Sequence, residues 1–221
     1  MTQEAGGAGG GRVLDPIDRV SEVLFGLFMV LTFTGTLSVV DSGRDEVRDM
    51  LVAAIGCNIA WGFVDGVMYV LRSIVARGRK AKLLQSVRAA AGPEQAHRLI
   101  ADEIGRLATA IGTEGLERVR RFAVEQPAQD VPPARVTWPD LRGAVAVFLL
   151  VFLSTFPVVL PFVFIADPGV AKRVSAVVAI SMMFVCGYAW GRYAGARPWR
   201  TGLVMVMLGT GVEAIIIALG G

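Results

Sequence analysis

The sequence predicts an all-α integral membrane protein with five transmembrane helices and a three-helix cytoplasmic insert between the second and third of them. Hydrophobic residues make up 54% of the 221 residues and the mean hydropathy is +0.57, which is too apolar for an ordinary soluble domain. Few charges interrupt the apolar windows, and each window approaches the ~20 residues needed to cross a bilayer. The windows cover roughly residues 20–40, 50–71, 143–166, 174–195 and 200–220.

The chain divides at these windows into four parts. Residues 1–14 are rich in glycine and predict a disordered leader, and residues 15–71 hold transmembrane helices 1 and 2. Residues 72–142 predict a cytoplasmic helical domain, and residues 143–221 hold transmembrane helices 3 to 5. The leader mixes acids with bases and precedes no convincing cleavage site, so we expect helix 1 to be retained rather than removed as a signal peptide.

The distribution of basic residues predicts the orientation. Only four of the 22 Lys and Arg residues fall in the loops between helices 1 and 2 and between helices 3 and 4. Because positively charged loops stay in the cytoplasm, the N-terminus and residues 72–142 are expected there, with the C-terminus outside. The small size and the lack of an organelle-targeting sequence favour a bacterial inner membrane.

Acidic residues mark the start of helix 1. Asp15, Asp18 and Glu22 are spaced i, i+3, i+7, which places them on one face of a helix at its cytoplasmic end. Heptad spacing extends this face to Met29 and Thr36. Two interpretations stay open: a capped, solvated helix start, or the entry of a cation path.

A single carboxylate, Asp65, lies inside the second apolar window, within the sequence GCNIAWGFVDGVMYVL. Counting from the cytoplasmic ends at ~1.5 Å per residue, Asp65 and Met29 lie at a depth of about 10 to 13 Å, and Asn58 and Glu213 at about 20 Å. Asn58 and Asp65 are seven residues apart and share one face of helix 2. These side chains can line a transport path with Asp18, Glu22 and Thr36; alternatively, Arg192 neutralises Asp65 in a structural ion pair.

The predicted cytoplasmic domain consists of three amphipathic helices. The first covers roughly residues 77–91. The second begins at Pro93, and the third begins at Thr113. The apolar stripe of the second helix consists of Ala96, Ile100, Ile104, Leu107 and Ile111, and that of the third consists of Leu116, Val119 and Phe122.

Charge in this domain supports two interpretations. Its thirteen bases and eight acids give a net charge of +5, which suits anionic lipid headgroups better than it attracts a divalent cation. Several acids and the only histidine are nevertheless candidate metal ligands, because an E-x-x-H pair binds iron when other helices add carboxylates. The candidates are Glu94, His97, Asp102, Glu103, Glu114 and Glu117. Ordinary solvated charge is the alternative.

Small residues at intervals of four predict close helix packing. Gly62 and Gly66 provide such a face on helix 2, and Gly187, Gly191 and Gly195 provide one on helix 4.

Enzymatic function is not expected. One histidine makes a Ser/His/Asp triad improbable, and Cys57 and Cys186 both lie in membrane windows, where packing is their expected role. The sequence contains no Walker loop and no G-x-G-x-x-G run, and it indicates neither a covalently bound cofactor nor a nucleic-acid partner.

Two segments resemble the vacuolar iron transporter family. GYAWGRYAGARPWRTGL at 187–203 is similar to the G-Y-A-x-G-x-x-x-G-x-R-P run that joins the family's last two helices, and VLPFVFIAD at 159–167 resembles the preceding helix. The resemblance implies a homodimer in the bilayer that exports Fe²⁺, and often Mn²⁺, in exchange for protons. It also implies a path between the two copies of helix 1 and a metal-gathering cytoplasmic domain.

The sequence departs from this family at the expected acids. The family's helix 1 Asp corresponds to Met29 and its helix 2 Glu to Asn58, and the first cytoplasmic helix is basic. The hypothesis is therefore a divergent proton-coupled exporter of Fe²⁺ or Mn²⁺. The alternative is a non-transporting or differently specific relative that acts as a scaffold or regulator through its basic domain.

Overall fold

The structure is a computed structural model that describes residue 14 and residues 16–35, 44–125 and 135–218. These residues form seven α-helices and no strand, which confirms the all-α fold class. The helices are α1 (Pro16–Gly35), α2 (Arg44–Arg88), α3 (Pro93–Ile104), α4 (Leu107–Glu125), α5 (Trp138–Phe164), α6 (Pro168–Tyr193) and α7 (Pro198–Ala218). Residues 1–13 of the predicted leader, Asp15 and Thr36 lie outside the described residues.

Three of the described helices are long and apolar enough to cross a membrane. They comprise Asp45–Arg88, Trp138–Phe164 and Pro168–Tyr193. The described part of α1 includes Asp18, Arg19 and Glu22 within its 20 residues, although the apolar run of the sequence continues to Val40. The described residues therefore establish a helical membrane protein with three candidate spans, and the five-span arrangement is not established by them.

The chain forms two compact units, one from residues 1–69 and 141–221 and the other from residues 70–140. In the first unit, α1 packs against α6 and α7. Its core joins α1, α5 and α6, and its fully buried members are Leu27, Val30, Leu31, Val158, Ala179 and Met183. In a bilayer such a cluster stabilises through close van der Waals packing, because lipid tails are as apolar as the side chains themselves.

Glycines bring the helices of this unit close together. A Cβ atom on Gly62 would lie 3.1 Å from the Phe148 ring, and one on Gly187 would lie 2.7 Å from Met205 Cγ. Gly195 does not share this role, because it follows the end of α6 with φ +67 and has open space around it. It serves the turn into α7, so the packing role predicted for it is wrong.

The smaller unit has its own core, formed by Val87 of α2, Ala96 and Ile100 of α3, and Ala123 of α4. Its helix boundaries differ from the prediction. The expected first helix at 77–91 is not separate, because no proline interrupts the sequence between the membrane window and Arg88, and α2 runs through both.

The predicted second helix is shorter than expected. It ends at Ile104, where Gly105 adopts φ +58, and Leu107 and Ile111 belong to α4 instead. Within α4, Gly112 adopts φ +62 and ψ −177 and breaks the helix immediately before Thr113. A positive φ costs glycine little, so these two glycines fix the ends of the segments.

Candidate functional site

The buried face of α2 carries one polar side chain. In the part of α2 that lies in the first unit, the buried residues follow at intervals of four and are Met50, Ala54, Asn58, Gly62 and Gly66. Asn58 is 0% exposed and its Nδ2 donates a hydrogen bond to the Ala54 carbonyl oxygen over 3.1 Å. Its Oδ1 is buried and accepts no hydrogen bond from the described residues. The membrane window of α2 thus contains a buried amide oxygen that has no partner among the described residues.

An unsatisfied buried acceptor is costly, by about 1 to 3 kcal/mol. A leucine of similar size at this position would avoid that cost, and most buried polar groups in native proteins find a partner. An amide oxygen is also a neutral ligand that metal ions accept alongside carboxylates. The geometry of Asn58 therefore suits a site that is completed by a cation or by water.

Asp65 lies two helical turns from Asn58, about 10 Å along the axis. It is half-buried, next to Gly66 of the buried face, and it interacts with another group of the protein. Arg192 is exposed. The ion pair between Arg192 and Asp65, one of the alternatives that the sequence leaves open, stays a prediction.

The remaining path candidates lie on α1 and α7. Glu22 is buried with 6% exposure, and Asp18 and Met29 are partly exposed on the same helix. Glu213 is half-buried in α7. Among the residues that the structure describes, no three His, Cys, Asp or Glu side chains come together to hold a metal ion. One chain therefore provides separated polar positions rather than a closed coordination sphere.

The six candidate ligands of the smaller unit do not come together in one cluster either. His97 Nε2 lies 3.0 Å from Glu117 Oε2, so two of the six candidates are in contact with each other. Glu117 also accepts hydrogen bonds from Arg120 Nε at 2.7 Å and Arg121 Nε at 3.0 Å. Arg120, followed by Arg121 and His97, holds the pKa of Glu117 well below its usual range. Its charge is already balanced by cations of the protein.

The other candidates are exposed on the surface of the same unit. Glu114 pairs with Arg118 at 2.8 Å, four residues along α4. The remaining exposed acids are Glu94, Asp102 and Glu103. The arrangement in the described residues matches solvated and internally paired charge, the alternative that the sequence left open.

Two polar contacts of the smaller unit were not predicted. Glu117 with Arg120 and Arg121 has the i, i+3 and i, i+4 spacings that indicate helix ion pairs, so the sequence contained a signal for it. Arg77 and Asp140 form a bidentate pair across 63 positions, and no local pattern indicates that contact. Asp140 also accepts hydrogen bonds from Thr137 N and Thr137 Oγ1, at 2.8 and 2.7 Å.

The helices of the described residues, three of them long and apolar enough to cross a bilayer, define a polytopic membrane protein. Residues 77–221 match the model of the VIT family, and the chain belongs to this family, the vacuolar iron transporters. No curated protein matches the chain. Membership indicates metal ion transport and a family of transporters rather than enzymes. The matched range begins at Arg77, so it does not include Met29, Asn58 or Asp65.

Proposed function

We propose that this protein is a proton-coupled exporter of divalent transition metal, Fe²⁺ or Mn²⁺, that acts as a homodimer. The observation that carries the proposal is the buried amide of Asn58, whose Oδ1 has no partner among the described residues, on the same face of α2 as Asp65. In a chain of the VIT family, such a costly polar position inside a membrane helix is best explained by an ion that passes it.

The proposed layout has five spans. The apolar runs of α1 and α7 add two spans to the three candidates, and their charged ends lie at the membrane surface. The N-terminus and residues 72–142 are then cytoplasmic and the C-terminus external, in a bacterial inner membrane. Two copies complete the path, because one chain leaves its polar groups separated.

The chemistry of the path side chains predicts a role for them in transport. Asp18 and Glu22 attract the cation to the cytoplasmic end of α1. The Met29 thioether favours Fe²⁺ over Mg²⁺ or Ca²⁺, because soft sulfur binds hard cations poorly. Asn58 replaces one water of the cation with its amide oxygen. Asp65 and Glu213 bind either a metal or a proton, and this competition couples the two movements.

Proteoliposomes with a pH gradient test the proposal. Wild-type protein should accumulate Fe²⁺ or Mn²⁺ inside vesicles, and Asp65→Asn should reduce the initial rate at least tenfold. Asp49→Asn makes the same change at an exposed position of α2 and should leave the rate unchanged. Wild-type vesicles that move neither metal, or an Asp65→Asn variant as fast as wild type, would contradict the proposal.

A scaffold or regulatory role is the second candidate, and one observation favours it. Arg79, Lys80 and Lys82 of α2 are exposed, and none has an ion pair or hydrogen bond among the described residues. Correctly inserted protein that moves no metal but binds a membrane surface or a protein through these residues would support this role.

A further inference from the structure

Every charged residue of α2 that follows its membrane window is basic. Between Asp65 and Glu94 the sequence contains six bases and no acid. Arg77 and Arg88 use their guanidinium groups within the protein, since Arg77 binds Asp140 and Arg88 Nε donates to the Ala123 carbonyl. Arg79, Lys80 and Lys82 are exposed and unpaired among the described residues. Among the described residues of the smaller unit, no side chain is paired with these three charges.

The arginines of α4 provide the contrast. Arg118 pairs with Glu114, and Arg120 and Arg121 both pair with Glu117. The three arginines of α4 are thus paired with carboxylates. In one turn of α2, by contrast, three cations without such a pair among the described residues cover about 160° of the helix circumference.

The position of this turn relative to a bilayer follows from Arg77. Its two hydrogen bonds to Asp140 hold α2 beside the first turn of α5, and the candidate span of α5 begins at Trp138. Trp138 is 70% exposed, as expected of an aromatic anchor at the membrane interface. Leu71 and Val75 precede Arg77 in α2. Their side chains are 49% and 60% exposed and, being apolar, suit contact with lipid.

The three cations begin just beyond the level of Arg77. At ~1.5 Å per residue, Arg79 to Lys82 lie about 3 to 8 Å farther along the helix axis. That distance is within the headgroup region and within one Debye length of the surface at physiological salt. Long Lys and Arg side chains extend farther still towards phosphate groups.

We propose that Arg79, Lys80 and Lys82 form a binding site for the anionic headgroups of the phospholipids that surround α2. The site binds acidic phospholipid in preference to zwitterionic lipid, and it holds the cytoplasmic end of α2 at the membrane surface. It requires no metal transport, and so it stands apart from the proposed exporter function.

Lipid binding by the full-length protein tests the site. Purified protein in mild detergent is titrated with phosphatidylglycerol or phosphatidylcholine, and the bound lipid is counted by native mass spectrometry. Each base near an anionic surface strengthens binding about fivefold, so neutralising three predicts a loss on the order of 100-fold. The variant Arg79→Gln/Lys80→Gln/Lys82→Gln should lose its preference for phosphatidylglycerol.

Matched variants separate a local site from net charge. Arg98→Gln/Arg106→Gln/Arg118→Gln removes three exposed bases elsewhere in the unit and should keep the preference. The charge-retaining variant Arg79→Lys/Lys80→Arg/Lys82→Arg should keep it as well. Soluble glycerol phosphate should not displace phosphatidylglycerol, because the site faces a bilayer rather than a free phosphate.

Three results would overturn the proposal. Wild-type protein that binds phosphatidylglycerol and phosphatidylcholine equally well would overturn it. This result does not depend on whether the neutralised variant folds. An equal loss in both triple-glutamine variants would show that net charge alone acts. Glycerol phosphate that competes at equal concentration would show a soluble-phosphate site instead of a lipid site.

Discussion

Asp140 binds Arg77 through two hydrogen bonds, Nη1 to Oδ1 at 2.9 Å and Nη2 to Oδ2 at 2.7 Å. The same Nη2 donates to the Arg135 carbonyl oxygen at 2.9 Å. The Arg77 guanidinium therefore binds both the segment before α5 and the first turn of α5. The Asp140 side chain is 5% exposed and that of Arg77 20%, so water screens this pair little.

Removing one partner of this pair should destabilise the protein. Asp140→Ala leaves the Arg77 guanidinium without its carboxylate, and we expect the free energy of unfolding to fall by about 2 to 4 kcal/mol. Thermal unfolding of the full-length protein in detergent measures the change. Glu114→Ala breaks a pair whose side chains are 86% and 76% exposed and should cost at most about 0.5 kcal/mol. Equal losses in the two variants would contradict the assignment.

Acid should weaken the smaller unit through Glu117. Arg120, Arg121 and His97 lower the pKa of this carboxylate, so the folded state favours its ionised form. The resulting stabilisation is present above the ordinary pKa of 4.5 and is lost as the pH falls below it. The protection factors of the α3 and α4 amides, which are corrected for the intrinsic pH dependence of exchange, should therefore fall as the pH is lowered below 4.5. Glu117→Gln should remove this dependence, whereas Glu103→Gln, an exposed change on α3, should keep it.

Adding a methyl group at Gly187 should disrupt the packing of α6 on α7. Its Cβ would lie 2.8 Å from the Thr201 carbonyl oxygen as well as 2.7 Å from Met205 Cγ, so backbone must shift. We expect Gly187→Ala to cost about 1 to 3 kcal/mol in thermal unfolding. Gly56→Ala introduces the same group in α2 with nothing within 4 Å and should stabilise by up to about 1 kcal/mol. Opposite signs for the two variants are the expected result.

Asn58→Leu should separate stability from transport. Leucine removes an acceptor that lacks a partner among the described residues, so unfolding should become more difficult by about 1 kcal/mol or more. Metal uptake should fall at least tenfold, because the path loses its amide ligand. Thr155→Val is the control, since the Thr155 hydroxyl is buried but already donates to the Phe152 carbonyl. A variant at Asn58 that is destabilised and still active would contradict the proposed role.

Local patterns in the sequence predicted the helices and several site positions. Hydropathy indicated a membrane protein, and the segment GYAWGRYAGARPW indicated the family, which the match over residues 77–221 confirms. The spacing of Asn58, Gly62 and Gly66 placed them on one face of a helix, and all three are buried in α2. Such features depend on residues within two or three turns, which is why one sequence suffices.

Helix boundaries were harder to predict because they depend on single backbone conformations. The sequence places glycine at 105, 112 and 195 as it does at 187, but only the folded chain gives the first three a positive φ. The structure also shows that α2 continues without a break to Arg88, which the sequence pattern did not indicate. A glycine in a helical pattern is compatible with either a continuing helix or a stop.

The sequence by itself determined the all-α class, the apolar windows, the basic stretch of α2 and the family. Only the tertiary structure decided which charges meet. It pairs Arg77 with Asp140 across 63 positions, brings His97 of α3 to Glu117 of α4, and leaves the Asn58 oxygen without a partner among the described residues. The physical reason is that hydrophobicity and helical period are local properties, whereas the partner of a charge depends on which distant segments pack together.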